Sequence, residues 1–299
     1  GGYAIPSSSG YGSLAYKNAG SMRNNGWEFN INGNRFVKAG KFSMDFNITF
    51  ANNRNEILSM DPTILETMNA DFGYNNGSYL SRVQLHNPLG SIYGFRYKGV
   101  YAYDYDHNGY FLDPAKNEYY DAKGNLNTAA ATGRTAPIAR DAEGKVIYDK
   151  RGNPLPIYFN YGGRNYQFQG GDVIYEDINH DGNIDELDIV YLGSSNPDIN
   201  GGFNVDFNYG RWRLKTRFSF RLGNKILNMA RLYAEDMRTN KNQCASVSHR
   251  WRKNGDETVI PRALSSVNGY SSYNSLPSDR YVENGDYLRL QYVQLSYDF

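Results

Sequence analysis

Strict alternation of apolar and polar residues over several separate stretches is the feature that most constrains the fold of this chain. In "FSMDFNITFA" the even-numbered residues from Phe42 to Phe50 are apolar, and the odd-numbered residues from Ser43 to Ala51 are polar or small. Successive strand side chains point to opposite faces, so this period of two predicts a strand with one apolar face. "WEFNINGNRF" shows the same alternation, and the intervening turn at Lys38–Lys41 predicts a hairpin over about 26–57.

A second hairpin is predicted over about 200–229, with its turn around Gly210. Its first strand sets Phe203, Val205 and Phe207 against asparagine and aspartate. In its second strand Leu214 and Phe218 oppose a cationic face made of Arg211, Arg213, Lys215 and Arg217. Such a strand fits the exposed face of a soluble sandwich. It fits a transmembrane barrel better, because the strands are 9–11 residues long, end in aromatic residues and alternate short turns with long polar loops.

In the barrel interpretation the apolar face meets lipid and the charged face meets the lumen, since a cation on the lipid face costs roughly 2–4 kcal/mol at the midplane. The residues predicted to face lipid are Phe29, Ile31, Phe46, Ile48, Val205, Phe207, Leu214 and Phe218. Long loops are predicted at about 58–91, 104–172 and 229–285, on the side opposite the two tight turns.

The last strand, predicted over 286–299, changes phase along its length. Leu288 and Leu290 are even-numbered, whereas Val293, Leu295 and Tyr297 are odd-numbered. A one-residue slip of this kind indicates a β-bulge, a strand end that leaves the membrane belt, or an ordinary edge irregularity.

Composition excludes several classes of function. Lys and Arg total 32 against 31 Asp and Glu, a net charge of +1 that gives no basic bias towards nucleic acid. Cys244 is the single cysteine, so no internal disulfide can form. The four histidines do not have zinc-site spacing, and the sequence contains neither a nucleophile elbow nor a P-loop. We therefore expect no enzymatic activity.

Five ordered blocks of this sequence resemble the C-terminal half of SusC/RagA-type TonB-dependent outer-membrane transporters. They are "NAGSMRNNGWEFNI" (Asn18–Ile31), "GSIYGFRYKGVY" (Gly90–Tyr101), "GDVIYEDINHDGNIDELDIVYLGSSNPDINGGFNVDF" (Gly171–Phe207), "RWRKNGDETVIPRA" (Arg250–Ala263) and "YVENGDYLRLQYVQLSYDF" (Tyr281–Phe299). The resemblance implies an all-β fold, an antiparallel transmembrane β-barrel of about 22 strands. Residues 1–299 are expected to supply part of its strands, with no plug domain. Phe299 is expected not to be the natural end, and the alternative is that it is the terminal aromatic of an outer-membrane barrel signal.

The resemblance also implies a function and partners. Transporters of this type import oligosaccharide or peptide across the outer membrane of Gram-negative cells. A SusD-like surface lipoprotein captures the cargo, and TonB powers the plug through the N-terminal part. The alternative left open by the residues is a secreted calcium-dependent carbohydrate-binding or adhesin β-module. Partitioning separates the two, because only the barrel requires detergent for extraction.

A calcium-type loop lies within "YEDINHDGNIDELDIVYLG". Its pattern places oxygen ligands at Asp177, Asn179, Asp181, Asn183, Asp185 and Asp188, with Gly182 at the sharp turn. Calcium takes six to eight oxygen ligands in such a twelve-residue loop, although Asp188 replaces the usual bidentate glutamate. The sequence therefore predicts a structural calcium site, with an Asx-rich turn that satisfies its own backbone as the alternative.

Overall fold

The computed structural model describes residues 2–3, 15–16, 18, 20–62, 84–104, 110–113, 118–121, 136–152, 154–161, 164–238, 241–265 and 273–299. In chain order the strands are β1 (Gly2–Tyr3), β2 (Ala15–Tyr16), β3 (Gly20–Ala39), β4 (Phe42–Met60), β5 (Ser91–Gly94), β6 (Tyr97–Val100), β7 (Tyr110–Asp113), β8 (Glu118–Asp121), β9 (Tyr158–Tyr161), β10 (Arg164–Gln167), β11 (Val173–Tyr175), β12 (Asn183–Ile184), β13 (Val190–Ser194), β14 (Ile199–Tyr209), β15 (Trp212–Leu222), β16 (Lys225–Leu227), β17 (Val282–Asn284) and β18 (Tyr287–Tyr297). The described helices are α1 (Met229–Ala234) and the 3-10 helices Glu186–Asp188, Ala245–His249, Tyr273–Ser275 and Asp279–Tyr281.

A five-stranded antiparallel sheet in the order β18-β15-β14-β4-β3 forms the frame of the structure. The two predicted hairpins lie side by side in it, because β4 pairs with β14 from Phe42 opposite Tyr209 to Ala51 opposite Asn200. The last strand, β18, adds to β15. The all-β, antiparallel fold predicted from the alternation is confirmed. No helix among the described residues is long and apolar enough to cross a membrane.

The first hairpin occupies 20–60, whereas about 26–57 was predicted. Beyond the alternating segment its two strands continue to pair through polar side chains: Arg23 contacts Glu56 at 2.7 Å, and the hydroxyls of Ser21 and Ser59 lie 2.6 Å apart. The second hairpin leaves the sheet at Leu222, earlier than predicted, because β16 pairs with β17 and α1 begins at Met229.

The phase change in the last strand is a β-bulge. Arg217 pairs with Tyr292 and the next residue, Phe218, pairs with Leu290, so Gln291 is an extra residue on β18. One extra residue restores the apolar phase, because it places Leu288 and Leu290 on the same face as Val293 and Leu295. Of the interpretations open at the sequence level, the bulge is therefore correct.

A glycine lies beneath an aromatic ring near the first tight turn. A Cβ atom on Gly33 would come within 2.2 Å of the Phe46 ring, so only glycine leaves space for that ring. Directly after Gly33 the register of β3 against β4 shifts, and Val37 rather than Arg35 pairs with Met44. The Phe36 ring packs edge-on against Phe46 at 5.0 Å. The aromatic pair thus packs beside the irregularity in β3.

The two tight turns lie at one end of the sheet, where the Gly210 N–H donates to the carbonyl of Lys41 at 3.1 Å. Because adjacent strands are antiparallel, the connections after β4 and β15 and before β14 and β18 all leave from the opposite end. These connections form a loop layer with its own core. Its buried apolar members include Tyr93, Phe95, Ile157, Phe159, Tyr166, Phe168, Tyr175, Ile184, Tyr273 and Leu276.

Candidate membrane-facing surface and loop layer

One face of the five-stranded sheet carries apolar side chains in cross-strand rows. The central row runs Ile31, Ile48, Phe203, Phe218 and Leu290, and the rows on either side contain Phe29, Phe50 and Phe220 or Phe46, Val205 and Val293. We call this surface the apolar face. The ring of Phe203 stacks on that of Phe218 at 4.5 Å. Such cross-strand pairs stabilise the sheet and fix its register.

The apolar face is not covered by a second sheet within the described part of the chain. Phe29 is 53% and Ile31 47% exposed on β3, and Leu288 is 65% exposed on β18. Phe46, Ile48, Val205, Phe207, Leu214 and Phe218 are half-buried, because neighbouring strands on both sides cover them. A closed, dry core between two sheets would have opposed the barrel interpretation, and the structure does not show one here.

Aromatic residues end the apolar face at the tight turns. Phe42, Tyr209, Trp212 and Tyr297 form the last row, and the Trp212 and Tyr297 rings lie 4.8 Å apart. From Phe42 to Phe50 the face spans nine residues of β4. A membrane-crossing strand needs about 9–11 residues and ends in an aromatic belt. The apolar face therefore has the height and the boundary of a membrane-crossing wall.

The opposite face of the sheet is polar. Asn47 Nδ2 donates to Asn30 Oδ1 at 2.8 Å and also to Asn32, while Asn208 Nδ2 donates to Asp45 Oδ2 at 3.3 Å. Arg213, Lys215 and Arg217 pair across strands with residues of this face, as predicted. Arg211 lies in the turn before β15 instead. Alternation thus separates an outward apolar surface from a hydrogen-bonded polar one.

In the loop layer, a buried carboxylate joins three segments that are distant in sequence. Asp172 is 0% exposed. It accepts from Arg262 Nε at 2.7 Å, from Asn274 Nδ2 at 3.0 Å and from the Tyr166 hydroxyl at 2.5 Å. Burial and the Asp172 charge together raise the pKa of Tyr166. Burial alone lowers the pKa of Arg262, but attraction to Asp172 outweighs it, so that pKa is also raised.

Sequence reasoning missed this cluster. Arg262 and Asn274 lie 90 and 102 residues from Asp172, and no local motif links them. The stacking of Tyr166 on Tyr273 at 4.1 Å, beside the polar contacts, likewise depends on the tertiary fold.

The predicted calcium loop lies between β11 and β13, and its side chains bind the loop's own backbone. Asp177 accepts from the Gly182 N–H at 2.8 Å, Asp181 accepts from Asn183 N–H at 2.7 Å, and Asn179 Nδ2 donates to Asp181 at 2.9 Å. Gly182 has φ +84°, a left-handed conformation that favours glycine. These contacts form the Asx-rich turn that was the alternative interpretation.

Asp185 and Asp188 cap a 3-10 helix. Asp185 Oδ1 accepts from the Leu187 N–H at 2.8 Å, and Asp188 Oδ2 accepts in return from the Asp185 N–H at 3.0 Å. The reciprocal pair is a capping box, which the Asp-x-x-Asp spacing could have indicated. Asp188 is 0% exposed, and burial is the main cause that raises its pKa to about 6.

In the part of the chain that the structure describes, no group of three or more histidine, cysteine, aspartate or glutamate side chains is arranged to hold a metal ion. The structure thus brings Asp177, Asn179 and Asp181 together, and pairs Asp185 with Asp188, around backbone N–H groups. The calcium site stays a prediction.

The five-stranded antiparallel sheet has one exposed apolar face, one polar face, tight turns at one end and a loop layer at the other. These features define the class of transmembrane β-barrel walls. Comparison with known proteins agrees. The chain is 28%, 25% and 24% identical to three TonB-dependent receptors of Formosa agariphila, over 98–99% of its own length. It spans about a quarter of those relatives, 26%, 24% and 23% respectively. No protein-family profile matches the chain.

Two solved structures share the fold. The RagAB peptide transporter aligns with 98% of this chain at a TM-score of 0.57 and 18% identity, and the "closed-closed" state of the RagAB peptide importer aligns with 98% at 0.55 and 18%. In both cases 24% of the other chain is covered. The resemblance to SusC/RagA-type TonB-dependent transporters, predicted from the sequence, is confirmed over the length of the chain.

Proposed function

We propose that this chain is part of an outer-membrane TonB-dependent nutrient importer of SusC type. The observation that carries the proposal is the apolar face, which crosses five strands, remains exposed and ends in an aromatic row. An exposed apolar surface of this extent is stable only against lipid or another protein. Since relatives that match nearly the whole chain are TonB-dependent receptors, we assign that surface to the lipid of the outer membrane.

In this assignment the polar face lines the lumen and the loop layer lies outside the cell. The loop layer is the part with a buried core and a buried ionic cluster, so it offers a rigid platform for a SusD-like lipoprotein. TonB acts through the N-terminal part of the whole transporter. The cargo is an oligosaccharide or a peptide, and the solved neighbours that bear the name peptide transporter favour the peptide. Transport of either requires no catalytic residue in this chain.

Epitope insertion into the full-length transporter tests the orientation. Gly144 lies in an exposed turn of the loop layer and Gly40 in the first tight turn. Both have positive φ, and nothing lies within 4 Å of the position that a Cβ atom would take, so both accept an insertion. We expect an antibody to label intact cells only with the insertion at 144, and lysed cells with either. Labelling of intact cells at 40 alone would overturn the orientation. Purification of the labelled complex with mass spectrometry then identifies the lipoprotein and the cargo.

Calcium remains part of the proposal as a structural ion of the loop layer. Its support is chemical. Burial raises the pKa of both Asp177 and Asp188, so the loop holds carboxylates whose charge a divalent cation would stabilise. Binding would stiffen the loop from Asp177 to Asp188 and take no part in transport chemistry.

A further inference from the structure

A recess lies where the apolar face ends on the loop-layer side. Its volume is about 610 Å³, within the range of about 300–1,000 Å³ that is usual for ligand pockets. The long strands of the sheet contribute Trp27, Ile199 and the β4 run Asn52, Asn53, Arg54 and Asn55 to its lining. Trp27 pairs with Asn52 across the β3–β4 hairpin, and its ring contacts the Phe29 ring at 5.3 Å.

Four of these six residues, Trp27, Asn52, Arg54 and Ile199, belong to the outward side of the sheet, whereas Asn53 and Asn55 alternate with them and belong to the polar side. Trp27 and Phe29 are two residues apart on β3, as are Phe50, Asn52 and Arg54 in turn on β4, and residues two apart share a face. Ile199 shares the face of Gly201 and Phe203 on β14 for the same reason. Trp27, Asn52, Arg54 and Ile199 therefore form an outward lip of the recess, and this lip continues the apolar face beyond its apolar rows.

The chemistry of the recess changes abruptly from that of the apolar face below it. Asparagines supply much of the lining, and two of them are fixed by the backbone: Asn52 Nδ2 donates to the carbonyl of Asp198 at 2.5 Å, and Asn196 Nδ2 donates to that of Leu89 at 2.7 Å. Both bonds use the amide nitrogen. Within the described part of the chain, the amide oxygens of Asn52 and Asn196 make no hydrogen bond, so they can accept from hydroxyl groups.

Two cations in the recess make no ion pair with any described carboxylate. They are Arg54, on β4, and Lys225, on β16. Among the lining residues, Asp198 carries the negative charge. The third basic residue, His86, already contacts a carboxylate, since its Nδ1 lies 3.1 Å from Glu56 Oε1. The lining thus has an excess of positive charge beside neutral amides. Trp27 and Tyr191 flank it at 42% and 43% exposure, as amphipathic rings do at the level of lipid headgroups.

We propose that this recess binds the phosphorylated sugar headgroup of a glycolipid in the outer leaflet. Arg54 and Lys225 contact the phosphate, the asparagine amides contact sugar hydroxyls, and Trp27 and Tyr191 pack against the sugar ring and the first acyl carbons. The outward lip favours lipid over cargo, because Trp27, Asn52 and Arg54 lie on it at the headgroup level. This inference rests on the proposed function, which places the apolar face in the outer membrane.

The test uses the full-length transporter, purified from outer membranes in mild detergent and analysed by native mass spectrometry. The variant is the double substitution Arg54→Gln with Lys225→Gln. The matched control is Arg221→Gln, an arginine at similar height that pairs with Asn200 on the polar face. We expect the parent and the control to retain a phosphorylated glycolipid, and the double variant to retain about tenfold less, a loss of about 1.4 kcal/mol in binding.

A second measurement identifies the source of the phosphate. Parent protein in phosphatidylcholine nanodiscs is titrated with lipid A, with lipid A stripped of its phosphates, and with inorganic phosphate. Binding of intact lipid A alone supports the proposal. Equal binding of the stripped lipid, binding of inorganic phosphate at the same site, or equal retention by parent and double variant overturns it.

Heat-modifiable electrophoresis of the same membranes separates the two levels of the argument. If the double variant is folded in the outer membrane and still retains glycolipid, only the recess assignment fails. If the parent itself is absent from the outer membrane, the proposed function fails as well.

Discussion

Placing a charge at the centre of the apolar face gives the most quantitative prediction. Ile48 lies in the central row, between Ile31 and Phe203. It is six residues from the turn-end aromatic Phe42, or about 20 Å along the strand at about 3.4 Å per residue. With a strand tilt of about 45° this is about 14 Å of depth, close to the middle of an apolar band about 25 Å tall.

Ile48→Arg should therefore meet nearly the full midplane cost of an arginine. We expect the full-length transporter to lose about 2–4 kcal/mol of folding free energy in lipid vesicles. This is a loss of about thirtyfold to several hundredfold in the folding equilibrium. The assay is urea-dependent unfolding from vesicles, followed by tryptophan fluorescence and heat-modifiable electrophoresis.

Thr49→Arg is the matched control. Thr49 neighbours Ile48 on the same strand, faces the other way and pairs with Gly202, which has no side chain to oppose an arginine. We expect a change within about 1 kcal/mol, because an arginine on the lumen face remains solvated. Equal losses for the two variants, or a smaller loss for Ile48→Arg, would refute the assignment of the apolar face to lipid.

Three further predictions concern the loop layer. Asp172→Asn leaves Arg262 without its buried partner and should cost about 3 kcal/mol, seen as faster proteolysis around 164–175, whereas unchanged digestion would show the cluster to be dispensable. Without calcium, the protection of amides hydrogen-bonded to Asp188 should be greatest below about pH 4 and fall as the pH rises through about 6, by up to about 3 kcal/mol, because the folded loop holds the Asp188 proton more tightly than the unfolded chain. Calcium, if it binds, should remove this pH dependence, and protection that rises with pH would contradict the sign. Gly182→Ala should destabilise the same loop by about 1–2 kcal/mol, since a Cβ there meets Leu155 Cδ2 at 2.8 Å at a φ of +84°; hydrogen exchange equal to that of the parent would show that the turn relaxes freely.

The sheet could be predicted from the sequence because the pattern that determines it lies within each strand. Alternation at Phe46 and Ile48 assigns a face to each side chain, and the phase change between Leu290 and Val293 indicates the bulge that the structure contains. The full extent of β3 and β4 was missed because their outer halves pair through polar contacts such as Arg23 with Glu56, which carry no alternating hydrophobic signal.

The loop layer could not be predicted in the same way. Its core joins residues such as Phe95, Phe159 and Tyr273, which come from short strands and a 3-10 helix without a sustained period. Asp172 looks like any loop aspartate until the fold brings Arg262 to it. For the acidic loop the sequence predicted calcium ligands at Asp185 and Asp188 but not the capping box that these residues form. The same spacing fits both arrangements.

Collision accessibility of nitroxide labels along β4 tests the central claim most directly. Single cysteines at positions 44 to 49 of the full-length transporter are labelled and reconstituted in lipid bilayers, in a background where Cys244 and any other native cysteine are replaced by serine. We predict that labels at 44, 46 and 48 collide preferentially with dissolved oxygen, which partitions into lipid, and that labels at 45, 47 and 49 collide preferentially with a water-soluble nickel complex. Uniformly low accessibility to both reagents at 44, 46 and 48, as in a protein core, would contradict the assignment of the apolar face to the membrane.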